Sequence, residues 1–420
     1  MDRLLKLAAS LLATLAIAAC SAGGATDVPA SAGASQTGSV TFKHIPQWAA
    51  KHEARTACPQ VVGRPTCLAL QVLKGGIVPA CSPTTCGFTA QQLESAYGLT
   101  KKLNNGSTTT VAVIEVGDLA NASSDLAAYR SQFGLGTAKL VKYNESGQQS
   151  NYPPSCENYG WCLETDLDLD MVSASCPKCN IILMEAGGHF FTDLATAEAE
   201  AVTLGATILS NSWICYGSSN CGITNFTSYF DTPGIAYLAG SGDAGYDNIG
   251  APSALDSVIS VGGTQLAVNG SGFTESIWND AGAGCADATQ VGTAVPKPSW
   301  QHDPGCASRT DSDISGQAGC NPGVSVYIGL YGGWTGVCGT SVSTPLLAGV
   351  VALEGNAASQ NGGEFVWDIT GRQRPHRLHD ITSGADGSCG GSYLCTAGTH
   401  QYKTYSGPGG WGSPKNIRAL

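Results

Sequence analysis

Five short apolar segments, separated by polar stretches, constrain this chain of 420 residues more than any other feature. Residues 111–116, 180–185, 207–212, 235–239 and 257–261 read as buried strands. Residues 122–133, 163–174 and 193–204 carry helical patterns between them. Strands alternating with helices imply an α/β fold, a mostly parallel central sheet covered by helices on both faces. Sites in such sheets collect beyond the carboxyl ends of the strands. Ser210-Asn211-Ser212-Trp213 and Gly240-Ser241-Gly242-Asp243-Ala244-Gly245 fall at such ends.

The N-terminus reads as an export signal. Arg3 and Lys6 precede an apolar stretch, residues 11–19, too short to span a bilayer stably. Ile17-Ala18-Ala19-Cys20-Ser21 resembles a bacterial lipoprotein cleavage box. Residues 1–20 are then a signal, and Cys20 is the lipidated residue that holds the mature protein on the cell envelope. Ordinary cleavage would release it instead. Residues 21–40, rich in Ala, Gly, Ser and Thr, would form a flexible tether.

Cysteine usage agrees with export. Apart from Cys20, sixteen of the 17 cysteines fall into close neighbours: Cys58/Cys67, Cys81/Cys86, Cys156/Cys162, Cys176/Cys179, Cys215/Cys221, Cys285/Cys306, Cys320/Cys338 and Cys389/Cys395. Local loop staples in an oxidising compartment are the expected reading. The C-x-x-C spacing at Cys176 and Cys179 also suits a metal, but a zinc site would need a second pair. With 13% charged residues and a net charge of −11, the chain offers no basic surface for nucleic acid. Residues 41–86 read as a short Cys-containing lead-in, and residues 87–420 as one domain, expected to be monomeric.

One serine stands out by its setting. Gly339-Thr340-Ser341-Val342-Ser343-Thr344-Pro345 precedes an apolar run, residues 346–353. Pro favours the first helical turn, so a helix is expected to open at Pro345 with Ser341 just ahead of it. Unpaired N–H groups and the positive end of the dipole could stabilise an oxyanion there. A nucleophilic serine needs a base, and none of the seven histidines lies in a His-Gly-Thr-His setting. His44, His52, His189, His302, His376, His379 and His400 all read as ordinary loop or surface residues.

Carboxylates are the alternative. Residues 161–171 place Glu164, Asp166, Asp168 and Asp170 in a predicted helix. Glu164 with Asp168, and Asp166 with Asp170, share faces at i,i+4. Like charges at that spacing favour retention of a proton on a partly buried pair. A solvated acidic face explains the segment as well, and spacing alone does not choose between the pairs. Asp243, between glycines, is either a turn former or, if protonated, a hydrogen-bond donor to an oxyanion.

These segments together resemble the sedolisins, serine-carboxyl peptidases with a subtilisin-like fold. The resemblance covers residues 87–414. It begins with Gly87-Phe88-Thr89-Ala90-Gln91-Gln92-Leu93 and continues through Glu-x-x-Leu-Asp at 164–168, Ser-Gly-Asp at 241–243, and Val261-Gly262-Gly263-Thr264. Gly-Thr-Ser-x-Ser-x-Pro at 339–345 completes it. It implies a protein or peptide substrate, Ser341 as nucleophile, Glu164 as general base, Asp168 as its orienting partner, and Asp243 as the oxyanion donor. Such a site works best in acid, because its carboxyl groups must hold protons.

The resemblance also implies a calcium site starting at Asp380-Ile381, with Asp386 as a further carboxylate nearby. Its second half normally ends in an Asp, where this chain has Ser406. A hard cation wants several oxygens with carboxylates among them. The long pro-region common in the family is missing as well, since at most about fifty residues separate the tether from Gly87. A non-enzymatic binding protein on the same scaffold is therefore the competing expectation. A lipase or esterase fits less, because Gly339-Thr340-Ser341 lacks the Gly-x-Ser-x-Gly elbow.

Overall fold

The computed structural model describes residues 42, 45–217, 221, 223–369 and 371–420; the signal, the tether and Cys20 lie outside them. The lead-in contributes a short helix, α1 (Gln47–Ala50), and three short strands, β1 (Ala54–Thr56), β2 (Thr66–Cys67) and β3 (Leu70–Val72). None of these can bury an apolar face alone. They add instead to strands far along the chain: β3 pairs antiparallel with both β1 and Gly333–Cys338, which in turn pairs with Val324–Ile328.

The central sheet follows the apolar segments. Its strands are β4 (Thr110–Val116), β5 (Lys139–Asn144), β6 (Asn180–Ala186), β7 (Ile208–Asn211), β9 (Ala236–Gly240), β10 (Ile259–Asn269) and β11 (Gly272–Ile277), with Ile314–Gln317 beside β10. A two-residue strand, β8 (Trp213–Ile214), continues the chain just past β7 and pairs antiparallel with β2. The spatial order is β11-β10-β9-β7-β4-β6-β5. Every pair is parallel except β10 with β11. From Val111 to Val116 every residue of β4 is buried, as expected of a strand covered on both faces.

Helices α2 (Ala90–Ala96), α3 (Ala122–Gln132), α4 (Cys162–Ser175) and α5 (Phe191–Thr203) flank the sheet. A sixth helix, Thr340–Glu354, opens on Thr and Ser residues, is apolar from Pro345 to Leu353, and is buried from Thr340 to Leu353. It packs on α4 and on β7 and β9, which fits that apolar run. Its start differs from expectation. The helix opens at Thr340, and Pro345 lies inside it. Gly339 caps it with φ 109°, a backbone conformation open to glycine. Pro345 therefore removes one bond inside the helix, that to the carbonyl of Ser341, rather than marking its first residue.

All eight cysteine pairs form the local disulfides read from spacing, Cys176–Cys179 among them. Such a set belongs to an oxidising compartment. Among the described residues, no helix is long and apolar enough to cross a membrane.

Candidate active site

Helix α4 carries the acids, and its surroundings decide their character. Packed among α2, α3, β4 and the Thr340–Glu354 helix, it is buried along all fourteen residues. A solvated acidic face is thereby ruled out for both pairs. They face different neighbours. Asp166 hydrogen-bonds with Asp125, and Asp170 Oδ2 accepts from the Tyr327 N–H at 3.1 Å. Glu164 faces the nucleophile instead, and Asp168 bonds to Glu164.

Ser341 Oγ donates to Glu164 Oε2 at 2.8 Å, with the Ser212 carbonyl 3.3 Å away. The same Oε2 accepts the Ala69 N–H at 2.7 Å. Asp168 Oδ1 accepts from Ser212 Oγ at 2.7 Å, and Asp168 also bonds with the carboxyls of Glu164 and Glu115. Glu164 Oε1 and Asp168 Oδ2 receive no N–H or hydroxyl hydrogen. Buried carboxyl oxygens of this kind pair with one another by sharing a proton. Burial, and then the charge of Asp168, hold Glu164 well above the usual carboxylate range; the bonds from Ser341 and Ala69 oppose this. Burial likewise pushes Asp168 up to about 8.

Sequence reasoning missed Glu115. It is fully buried in β4, and burial followed by the charges of Asp168 and Glu164 keeps its proton in place. The signal was present: a single acid inside Val111-Ala112-Val113-Ile114-Glu115-Val116, a run otherwise apolar. An ionisable group in a strand buried on both faces needs a partner. The cluster thus has three carboxyls, one of them facing the nucleophile.

Asp243 sits beyond the end of β9 and reaches the start of the nucleophile helix. Its Oδ1 accepts both the Thr340 N–H at 2.8 Å and the Thr340 hydroxyl at 2.9 Å. Its Oδ2 is buried and accepts nothing. Burial raises Asp243 to about 8, against the two bonds from Thr340. A carboxyl fixed through one oxygen and protonated on the other is a donor aimed beside Ser341. Ser341, second residue of its helix, has an N–H with no partner inside that helix. Together they could hold an oxyanion.

Among the described residues, no histidine bonds to Ser341 or to the carboxyl cluster. His189 packs its ring against Tyr159 and Phe190, and among the described residues Ser341 Oγ donates only to Glu164 and Ser212. Asp380 and Ile381 lie apart from the site. Ile381 is buried with Ile277 and Ala397, and Asp380 is an exposed carboxyl with His400 and Arg374 as charged neighbours. Asp386 is buried with both carboxyl oxygens unpartnered, and burial raises it well above its usual range. Among the described residues no three His, Cys, Asp or Glu side chains gather to hold a metal. A lone carboxylate beside a guanidinium suits a hard cation poorly, so no step is routed through calcium.

The chain matches no protein-family model and no curated protein. Among solved structures it is similar to a Pseudomonas sedolisin, a serine-carboxyl proteinase complexed with two molecules of pseudo-iodotyrostatin. The TM-score is 0.65 and the identity 22%, over 78% of this chain and 95% of that one. It is also similar to a lanthipeptide protease, with a TM-score of 0.50 and 16% identity over 79% of this chain and 92% of that one. The fold is therefore the subtilisin-like α/β architecture of the sedolisins.

Proposed function

We propose that the chain is an exported, acid-active serine endopeptidase, held on the cell envelope through Cys20, that cleaves peptide bonds through an acyl-enzyme. The observation that carries this reading is the 2.8 Å bond from Ser341 Oγ to Glu164 Oε2 inside a buried carboxyl cluster. Glu164 takes the hydroxyl proton as Ser341 attacks a carbonyl carbon, and later gives it to the departing amine. Asp168 and Glu115 hold Glu164 in place and set how readily it gains or loses that proton. Asp243, in its neutral form, donates to the developing oxyanion. The likeness to a serine-carboxyl proteinase supports this assignment of the fold to proteolysis.

Hydrolysis of a denatured protein near pH 4 tests it. Wild type is expected to digest the substrate, Ser341→Ala to lose more than about 99.9% of the rate, and His189→Ala to keep it. Equal digestion by wild type and Ser341→Ala would sink the reading. A scaffold without catalysis would instead leave Ser341 unlabelled by a fluorophosphonate probe at every pH.

A further inference from the structure

Asp243 lies in a loop with little backbone preference of its own. Gly240, Gly242 and Gly245 surround it, and Gly242 and Gly245 adopt φ 115° and 75°, conformations open to glycine. A carboxyl on such a loop keeps its aim only if its main chain is held from outside. Both main-chain polar groups of Asp243 are held, and both holds lead back to the lead-in.

The Asp243 carbonyl accepts the Trp48 indole N–H at 2.8 Å. Trp48 is buried and shares a small apolar cluster with Leu70, Trp278, Ala281 and Cys338, the residue before Gly339. That cluster joins the strand leading to Ser341 with the residue that carries the oxyanion donor. On the other side, the Asp243 N–H donates to the Tyr216 hydroxyl at 3.4 Å. The Tyr216 ring meets Phe42 edge-on, with centroids 5.2 Å apart.

Asp280 completes the arrangement. Its two carboxyl oxygens accept the N–H groups of Gln47 and Trp48 at 2.6 and 3.1 Å, which fixes the first turn of α1. Its own carbonyl accepts the Gly245 N–H at 2.9 Å, and the Gly282 N–H donates to the Gly242 carbonyl at 2.7 Å. A Cβ on Gly282 would lie 2.0 Å from the Ser241 carbonyl oxygen, so the approach of these two segments requires glycine there. One buried residue thereby ties α1 to the oxyanion loop. Any buried indole N–H needs an acceptor, and packing alone would be satisfied by many. Here the acceptor belongs to the residue carrying the donor, and the helix bearing the indole is fastened to the same loop through Asp280.

We propose that Trp48 is a positioning residue for the oxyanion donor: helix α1 of the lead-in, fixed by Asp280, holds the Asp243 carboxyl in its aim beside Ser341. This rests on the peptidase reading above and makes the lead-in a working part of the active site. The indole acts through Asp243 and not on the reacting atoms. Without its N–H, the glycine-flanked loop is free to turn the peptide that follows Asp243, and with it the direction of Oδ2. The donor is then still present but spends less time in its productive aim. The loss falls on transition-state stabilisation, hence on kcat, and it exists only while Asp243 is there to be aimed.

The test measures kcat and KM for hydrolysis of a denatured protein at pH 4 by the purified full-length chain. Trp48→Phe keeps an aromatic ring and removes the N–H. It should lower kcat about tenfold with KM unchanged, while its melting temperature at pH 4 falls by no more than about 4 °C. In an Asp243→Ala background the same substitution should change kcat by less than about twofold, since the group it positions is gone. Asp280→Asn, which keeps the carbonyl on Gly245 but gives up one acceptor for α1, should reproduce the loss of kcat and add little to Trp48→Phe. It carries the same test if Trp48→Phe does not fold. Wild-type kcat in both variants would overturn the positioning role and leave the peptidase reading standing. A tenfold loss that persists in the Asp243→Ala background, or a rise in KM with kcat intact, would reduce Trp48 to a packing residue. Wild type that hydrolyses nothing would overturn both readings.

Discussion

Glu164→Gln is expected to lower kcat/KM on a denatured protein at pH 4 by about four orders of magnitude or more. Gln is nearly isosteric, and its carbonyl oxygen can still accept the bonds that Ser341 and Ala69 give to Oε2. What it cannot do is take a proton. Ser341 would keep its hydrogen bond and lose its base, so the loss should fall on kcat rather than on KM. Stability should move the other way. Burial and the charge of Asp168 make ionised Glu164 costly, and a neutral amide removes that cost. The melting temperature of Glu164→Gln at pH 7 should therefore equal or exceed that of wild type. A variant that melts well below wild type would mean that its inactivity comes from a damaged fold. Activity within tenfold of wild type would remove Glu164 from the role of base.

Glu115→Gln should be milder, because Glu115 touches the reacting groups only through Asp168. Its expected mark is a shift in the pH profile of kcat, measured from about pH 3 to pH 7, with KM unchanged. An unaltered profile would reduce Glu115 to a buried structural acid.

How much of this was legible in the sequence follows from where the information lies. Strands such as β4 and β6 were readable because burial on both faces makes their apolar runs continuous, and the disulfides because their loops are short. The start of the nucleophile helix was misplaced because Pro345 is a strong local signal, whereas the Gly339 cap depends on a tertiary bond, Thr340 N–H to Asp243. Helix geometry paired Glu164 with Asp168 and Asp166 with Asp170 equally well. Only packing separates them, since one face of α4 meets Ser341 and the other meets Asp125 and Tyr327. Glu115 was hidden for a similar reason, as a strand reading records its apolar neighbours and passes over the single acid among them. The seating of Ala69 and Trp48 could not be read at all. It joins positions 95 and 195 residues apart along the chain, and no local pattern marks a lead-in that will reach the site.

Replacing Asp243 separates its two roles, as donor and as buried acid. Asp243→Asn keeps an acceptor for Thr340 and presents an N–H where the protonated carboxyl presented O–H. Activity at pH 4 should stay within about tenfold of wild type, whereas Asp243→Ala should lose about 10²–10³. The ratio of Asn variant to wild type should climb from about pH 6 to pH 9, because wild type loses its donor as Asp243 titrates near 8. A flat ratio would remove Asp243 from the oxyanion site.

Stability carries the same sign. Asp243, Asp168 and Glu198 are each raised to about 8 by burial, so the folded chain binds protons that the unfolded chain has already released. Their stabilising contribution is complete below the unfolded values near 4 and is lost as pH rises through about 8. His189 and His379 are lowered by burial and oppose this trend, but both are only half-buried. The melting temperature should therefore fall by about 10 °C or more between pH 4 and pH 8, and by less in Asp243→Asn. A protein whose melting temperature rises over that interval would contradict the protonated carboxyl site on which the acid mechanism depends.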